Sequence, residues 1–435
     1  MKHKEINLSS VSLEKAESFE KKVLESDEKE PKVEVKKKKL SFKEKIKKPF
    51  QNFAQWWKKA PKHKKILVVT IPALLLLGGS AFFFYYTIYG PRNRPPELFS
   101  ISTNYISPQN SEMGNLRFLT LSKPSVPRTE ESPINGKLFT REEMEKLKKR
   151  RPIAAMINNH IEARPTSNLT QADLVYEALV EGGITRLLAI YWSKEPNKIG
   201  PIRSARQYYL EWLSPFDALY IYDGFATSSD PKVNAGGNIS SYGIKSIYTR
   251  GAWRVSDRVA PHNEYSSTVK TWEYAKTQNW DQFPEVDSWK FKSDASNDER
   301  GEKFKAKVSI SNSDQYNSVW EYNRATNMYL RSIGGIKDID LETNQQISAK
   351  NVIIQEVKVE GPVDQYSRLI ITTTGSGNVA ILQDGKIVYG TWKKADRLTR
   401  TKFYDNSGNE IVFNRGLTWI ATVRQLQGNF DIIEQ

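Results

Sequence analysis

The sequence predicts a mixed α/β domain followed by a β-rich domain, carried behind a single N-terminal transmembrane helix. Three observations lead there. A run of 24 uncharged residues, Ile66 to Tyr89, follows a lysine-rich leader. Between about 151 and 300, strand-like and helix-like apolar patterns alternate. From Lys303 onward the segments are short, alternating and rich in β-branched and aromatic residues.

The leader explains the charge. The 435-residue chain carries 65 Lys plus Arg against 50 Asp plus Glu, a net +15. Residues 1–65 hold 20 Lys and 10 acids, so +10 of the excess sits there and the rest of the chain is nearly balanced. Lysines beside a membrane already have a partner in anionic inner-leaflet lipid, each contributing about 1 kcal/mol. Nucleic acid is not needed to explain them. Phe42, Ile46, Phe50, Phe53 and Trp57 recur on one helical face, so 41–59 reads as an amphipathic juxtamembrane segment, kinked at Pro49. Residues 1–35 show no periodicity and read as a disordered part of this cytoplasmic tail.

As a helix, residues 66–89 would be about 36 Å long, enough for a hydrocarbon core of about 30 Å. A cleaved signal peptide has a shorter apolar core, about 7–15 residues, so the segment reads as an uncleaved signal anchor. Lysines precede it and only Arg92 and Arg94 closely follow it. This places the N-terminus in the cytoplasm and the C-terminal domains outside. The chain has no cysteine, which excludes disulfides, thiolate metal sites, cysteine nucleophiles and a lipidated cysteine.

The elements follow in order. Residues 90–135 are rich in Pro, Ser and Asn and read as a stalk. The α/β domain is expected over 136–300 and the β-rich domain over 301–435. Thr140 and Glu143 form a capping box for a short helix. Pro152 to Ile157 reads as a buried strand. The two apolar runs around Gly182-Gly183 read as a hairpin whose two-residue turn pairs Leu179 with Arg186. That register would put Glu177, Glu181 and Arg186 on one face. GPIRSARQYYLEWL enters a helix, FDALYIYDG is a strand, and STVKTWEYAKT is a further helix. In the second domain, Asp384-Gly385 and Ser407-Gly408 mark turns, and TTTGSGN reads as another. Trp320, Trp392 and Trp419 are expected in the core.

Several of these segments carry a resemblance. MINNH, ARPTSNLTQADLVYEALVEGGITRLLAIY, KIGPIRSAR and WRVSDRVAPHNEY, with NVIIQEV, GTWKK and GLTWIATV further on, resemble the YerB-like family of bacterial lipoproteins, whose function is unknown. The resemblance covers roughly 131–435 and implies an extracytoplasmic, membrane-tethered protein. It implies no activity and no catalytic residues. Members of that family typically carry a lipidated cysteine; here a spanning helix takes that place.

Candidate chemistry is sparse. His160 and His262 are the only histidines of the body, both in loops. No HxH or HExxH spacing accompanies them, so neither a metal nor another cofactor is expected. Arg203 and Arg206 in GPIRSAR, three apart, are expected in the first turn of a helix, where the dipole disfavours positive charge. That conflict points to an anion, either a ligand or an acid such as Glu177, Glu181 or Asp223. Asn159, Arg164, Arg186, Arg254, Arg258 and Asn263 complete the candidate ligand-binding set. On one strand, Glu177 and Glu181 are about 13 Å apart at Cα, too far for a hydrolytic pair needing about 5–9.5 Å. Ser204 lacks a GxSxG context, and no P-loop or GxGxxG is present. The expected function is a cell-envelope binding or scaffolding protein with an anionic-ligand site, for a cell-wall glycan or anionic glycopolymer. An enzyme acting on a phosphate-linked glycopolymer is the alternative, and docking of a protein partner a third reading.

Overall fold

The middle of the central sheet is buried on both faces: every residue of strands β1 (Ile153–Asn158) and β4 (Leu219–Ile221) is buried, and so is β2 (Leu174–Leu179) up to its last residue.

 In β2 and in β3 (Thr185–Tyr191) only Leu179 escapes full burial. Such runs need cover on both sides, and the chain supplies it. The structure, a computed structural model, describes residues 126–434 together with Pro61. The expected tail, membrane span and most of the stalk lie outside the described residues. Among the described residues no helix is long and apolar enough to cross a membrane.

The remaining strands of the central sheet are β5 (Lys245–Tyr248), β9 (Asn351–Glu356), β10 (Gly375–Gln383), β11 (Lys386–Lys394), β12 (Lys402–Asp405) and β13 (Thr418–Val423). The ten strands run in the order β12-β11-β10-β9-β13-β2-β3-β1-β4-β5. Two parallel groups, β9-β13-β2 and β1-β4-β5, flank the antiparallel β3. Both groups therefore end at the same edge, which carries Asn158, Leu179, Ile221, Tyr248, Glu356 and Val423.

One face of the sheet packs on short helices. In α1 (Arg141–Leu147) the capping box is formed as expected: Thr140 Oγ1 accepts from the Glu143 N–H, and Glu143 accepts from the Thr140 N–H. In α2 (Gln207–Leu213) every residue but Glu211 is buried, and α3 (Ala235–Ser241) packs beside it. The other face receives α4 (Thr268–Thr277) and a second sheet. That sheet comprises β6 (Lys305–Val308), β7 (Ser318–Asn323), β8 (Met328–Ile333) and β14 (Phe430–Glu434), ordered β8-β7-β6-β14, with two-residue strands Ile336–Lys337 and Ser348–Ala349 against β8. The central sheet thus takes five strands from either side of residue 300, and one compact unit, Leu119–Gln435, contains them all. Trp320, Trp392 and Trp419 are in the core, as expected.

Three local expectations need correction. The β2-β3 hairpin exists, but Leu179 pairs with Thr185 and Ala178 with Arg186. Gly182 and Gly183, at φ +70° and +73°, make a turn of three residues instead of two. One extra residue in the turn moves every partner by one, so Glu177 and Arg186 point to opposite faces. Arg203 lies in an irregular segment ahead of α2, and Arg206 is extended at φ −134°, ψ 153° as its N-cap. TTTGSGN is not a turn: Gly375 opens β10, whereas Asp384-Gly385, at φ +51° and +71°, does turn the chain between β10 and β11.

Glu177 points into the layer between the two sheets. Arg331 of β8 reaches it there, Nη2 lying 2.8 and 2.9 Å from the two carboxylate oxygens, and also pairs with Asp338. Trp419 Nε1 and Thr185 Oγ1 each donate to Glu177 at 3.0 Å, and the Arg331 guanidinium lies 4.6 Å from the Trp419 ring centroid. Glu177 and Arg331 are fully buried. Removing one partner leaves a buried charge unmatched, at a cost of about 3–5 kcal/mol. Arg331→Met is expected to lose that much, read as a lower midpoint in urea unfolding of the full chain, with Glu177→Gln intermediate because its amide still accepts and donates.

Candidate functional site

The edge where the parallel strands end gathers most of the polar side chains that the sequence singled out. Asn158 closes β1, and Asn159 and His160 follow it. Asp223 lies two residues beyond β4, and Tyr248 ends β5 at φ +52°, a left-handed conformation uncommon outside glycine. Ile202 bridges Ile157, and Ala205 bridges Phe225, which fixes Arg203 between the ends of β1 and β4. The Arg203 N–H donates to Met156 O, and the Asp223 N–H donates to Arg203 O. Trp253–Arg254 pairs with Glu264–Tyr265, setting Arg254 directly opposite Glu264. Gly200 allows the close approach: a Cβ there would lie 2.9 Å from the Tyr265 ring and 3.0 Å from Glu264 O.

His160 and His262 meet. Their rings stack with centroids 4.5 Å apart. Asn158 organises them: its Oδ1 accepts from the His160 backbone N–H, so its amide N–H donates to His262 Nδ1 at 2.9 Å. His262 Nε2 then carries the ring proton and faces Glu162 Oε2 at 3.3 Å. The Glu162 N–H in turn donates to His160 Nδ1. Ligand atoms of His160, Glu162 and His262 all lie within 4.8 Å of one another, close enough to surround a cation. Local spacing could not reveal this grouping, because the residues come from separate loops. The hydrogen bonds nevertheless oppose a metal. A metal-bound imidazole donates from its other nitrogen, whereas His262 Nδ1 accepts. Burial, His160 and the nearby Arg203 guanidinium hold the His262 pKa below its usual value, and that positive charge repels a cation too. Hydrogen bonds to Asn158 and to the Glu162 backbone hold the trio together.

The arginines divide. Arg206 grips Glu181 with two hydrogen bonds, 2.6 and 2.9 Å. Burial alone would lower its pKa, but this ion pair raises it. Arg186 donates to Ser204 O, and its burial lowers its pKa to about 10. Arg164 donates to the carbonyls of Asn159 and Gln315, and Arg258 to those of Ala163 and Pro165. Arg254 bonds Asp223 Oδ2 at 3.0 Å, Asn263 Oδ1 at 3.0 Å and Glu264. Arg203 is the exception. Half-buried, its guanidinium has no hydrogen-bonded acceptor among the described residues. Burial lowers its pKa, opposed by Asp223 and reinforced by Arg206 and Arg254.

Two expected site residues are elsewhere. Glu177 belongs to the buried Arg331 pair, and the Asn159 amide turns inward to Thr185 Oγ1 and Glu177. One residue not anticipated is Glu264. It is buried, and its Oε1 meets no donor among the described residues. Glu264 Oε2 and Asp223 Oδ2 both pair with Arg254 Nη2. Burial, then the Asp223 contact, raises the Glu264 pKa to about 7. A cleft of about 410 Å³ opens over this pair, lined by Asp223, Tyr248, Trp253, Arg254 and Glu264. The sequence did hold a signal for Asp223, an acid just past an apolar strand, where α/β sheets bind ligands.

Residues 139–281 match the N-terminal domain, and residues 306–420 the C-terminal domain, of a protein of unknown function (DUF3048). The chain belongs to this family. "Putative lipoprotein YerB" of Bacillus subtilis (strain 168) is 31% identical over 313 residues, covering 70% of this chain and 90% of the relative. The crystal structure of YerB protein from Bacillus subtilis is similar with a TM-score of 0.62 at 27% identity, covering 70% of this chain and 100% of that one. The residues that line the cleft all lie within the N-terminal match.

Because folded Glu264 holds its proton more tightly than the unfolded chain, its contribution favours the native state below its ordinary pKa of 4.5 and is lost as pH rises through about 7. The melting temperature of the full chain is expected to carry this downward component between about pH 5 and about pH 8. Glu264→Gln should remove it, and an unchanged profile would contradict a proton held on Glu264.

Proposed function

We propose that this DUF3048 protein is a membrane-tethered, extracytoplasmic binding protein of the cell envelope, and that the Arg203 guanidinium receives an anionic group. The observation that carries the reading is the free Arg203 guanidinium, half-buried while every other arginine of the site is engaged. A ligand phosphate or carboxylate would supply the missing charge-assisted hydrogen bonds. Tyr248 and Trp253 in the adjoining cleft suit the apolar faces of sugar rings. Together these favour a phosphate-linked glycopolymer over a neutral glycan.

The tether follows from the lysine-rich leader and the uncharged run 66–89, with the leader against anionic inner-leaflet lipid. The relative's name, a lipoprotein, agrees with a membrane-held body. The test is binding of the full chain, in lipid nanodiscs, to glycosylated poly(glycerol phosphate) and to neutral peptidoglycan fragments. The charged polymer should bind, and Arg203→Ala should weaken it at least about tenfold. Equal binding by that variant would remove the site, and no preference for the charged polymer would remove the reading.

A further inference from the structure

The central sheet outruns the second sheet that covers one of its faces. Strands β10 and β11 are nine residues long and pair along their whole length. On the covered face, Ala380 and Leu382 of β10 are buried, whereas Asn378, Tyr389 and Thr391 stay exposed. Beside the edge strand β14 this leaves a cleft of about 530 Å³. It is lined by Tyr389, Asn378, Asn406, Gln425 and Gln427, with Glu356 at the end of β9.

The lining is held from behind. Glu356 Oε1 accepts from Asn378 Nδ2 at 3.0 Å, and its Oε2 accepts from the Leu426 N–H at 2.9 Å. Leu426 O accepts from the Asn429 and Phe430 N–H groups, and the Leu426 side chain packs on the core. The loop that carries Gln425 and Gln427 is therefore pinned at its middle. The Phe430 ring meets Tyr389 edge-on, centroids 6.4 Å apart, and Tyr389 is still 50% exposed. With its Nδ2 on Glu356, Asn378 keeps Oδ1 open. The side chains of Asn406, Gln425 and Gln427 and the Tyr389 hydroxyl bond to nothing among the described residues.

This lining selects by chemistry. No basic residue is part of it, and both oxygens of its one carboxylate are engaged. A charged polymer finds no counter-charge there. Each side-chain amide offers a donor and an acceptor together, which matches a sugar hydroxyl that both donates and accepts. An aromatic ring covers the apolar C–H face of a pyranose. No exposed aliphatic side chain lines the cleft, so a protein partner would have little to bury.

We propose that this cleft is a second ligand site, for a neutral oligosaccharide. Tyr389 stacks on one pyranose ring, and Asn378, Gln425 and Gln427 bond its hydroxyls. The site is built from residues 356–427 alone and does not depend on Arg203.

The experiment titrates the full chain, in lipid nanodiscs, with neutral tetrasaccharides of glucose, mannose and N-acetylglucosamine, followed by saturation-transfer NMR. At least one should bind. Tyr389→Ala should weaken it about tenfold or more, and Tyr389→Phe, which keeps the ring, should stay within about threefold of wild type. Replacing Gln425 and Gln427 together by Ala should weaken it about fivefold or more. Arg203→Ala should bind it as wild type does. Unchanged melting temperatures show that the variants are folded. Binding of none of the three sugars, or binding that ignores Tyr389→Ala, would overturn the proposal. Neither result touches the Arg203 reading, which poly(glycerol phosphate) without sugar substituents tests separately.

Discussion

The buried contact of Arg331 with Glu177 joins what the sequence keeps apart. Glu177 comes from the central hairpin and Arg331 from the second sheet, and Trp419 closes over both from a strand near the end of the chain. Asp338 completes the charge set, its pKa raised by burial although Arg331 opposes the shift. Buried ion pairs are a poor source of net stability, because desolvation offsets most of the attraction. They are demanding about geometry, however. The placement of the second sheet on the first that lets Arg331 reach Glu177 also brings Gln315 O to Arg164 beside the histidine loop.

Above this layer the edge of the sheet shows two kinds of polar group. Arg206 with Glu181, and Arg164 and Arg258 on carbonyls, are satisfied within the protein and shape the loops. Arg203, Asp223 and Glu264 are arranged differently: one cation lacks an acceptor, and two acids crowd one arginine. Satisfied groups explain the architecture of the edge. Asp223 and Glu264 line the cleft, and Arg203 is tied to Asp223 through the backbone, as expected where binding competes with folding.

Much of this was legible in the amino-acid pattern, for reasons specific to each element. The Thr140 capping box depends on residues three apart, and β1 on a continuous apolar run, so both could be read locally. The hairpin at Gly182-Gly183 could be recognised, but its turn length depends on left-handed glycine conformations that the letters do not fix. That single residue decided which face Glu177 takes. His160 meets His262 through Asn158, and Glu264 meets Asp223 through a ladder with Arg254; each pairing is tertiary, so spacing along the chain held no trace of it. Arg206 meets one of the acids considered for it, Glu181, yet a helix was expected where the backbone is still irregular.

Strand β13 has a consequence for how the molecule comes into being. It lies between β9 and β2, so residues 418–423 supply the ladder partner of a strand begun at residue 174. Synthesis delivers β13 almost last. Until it arrives, β2 has an open edge and the hairpin that carries Glu177 lacks both Trp419 and a neighbour. The loops of the cleft therefore cannot be finished by the first half of the chain alone. A release of the nascent chain a few dozen residues early would yield a sheet split down its middle, with exposed pairing groups on either side.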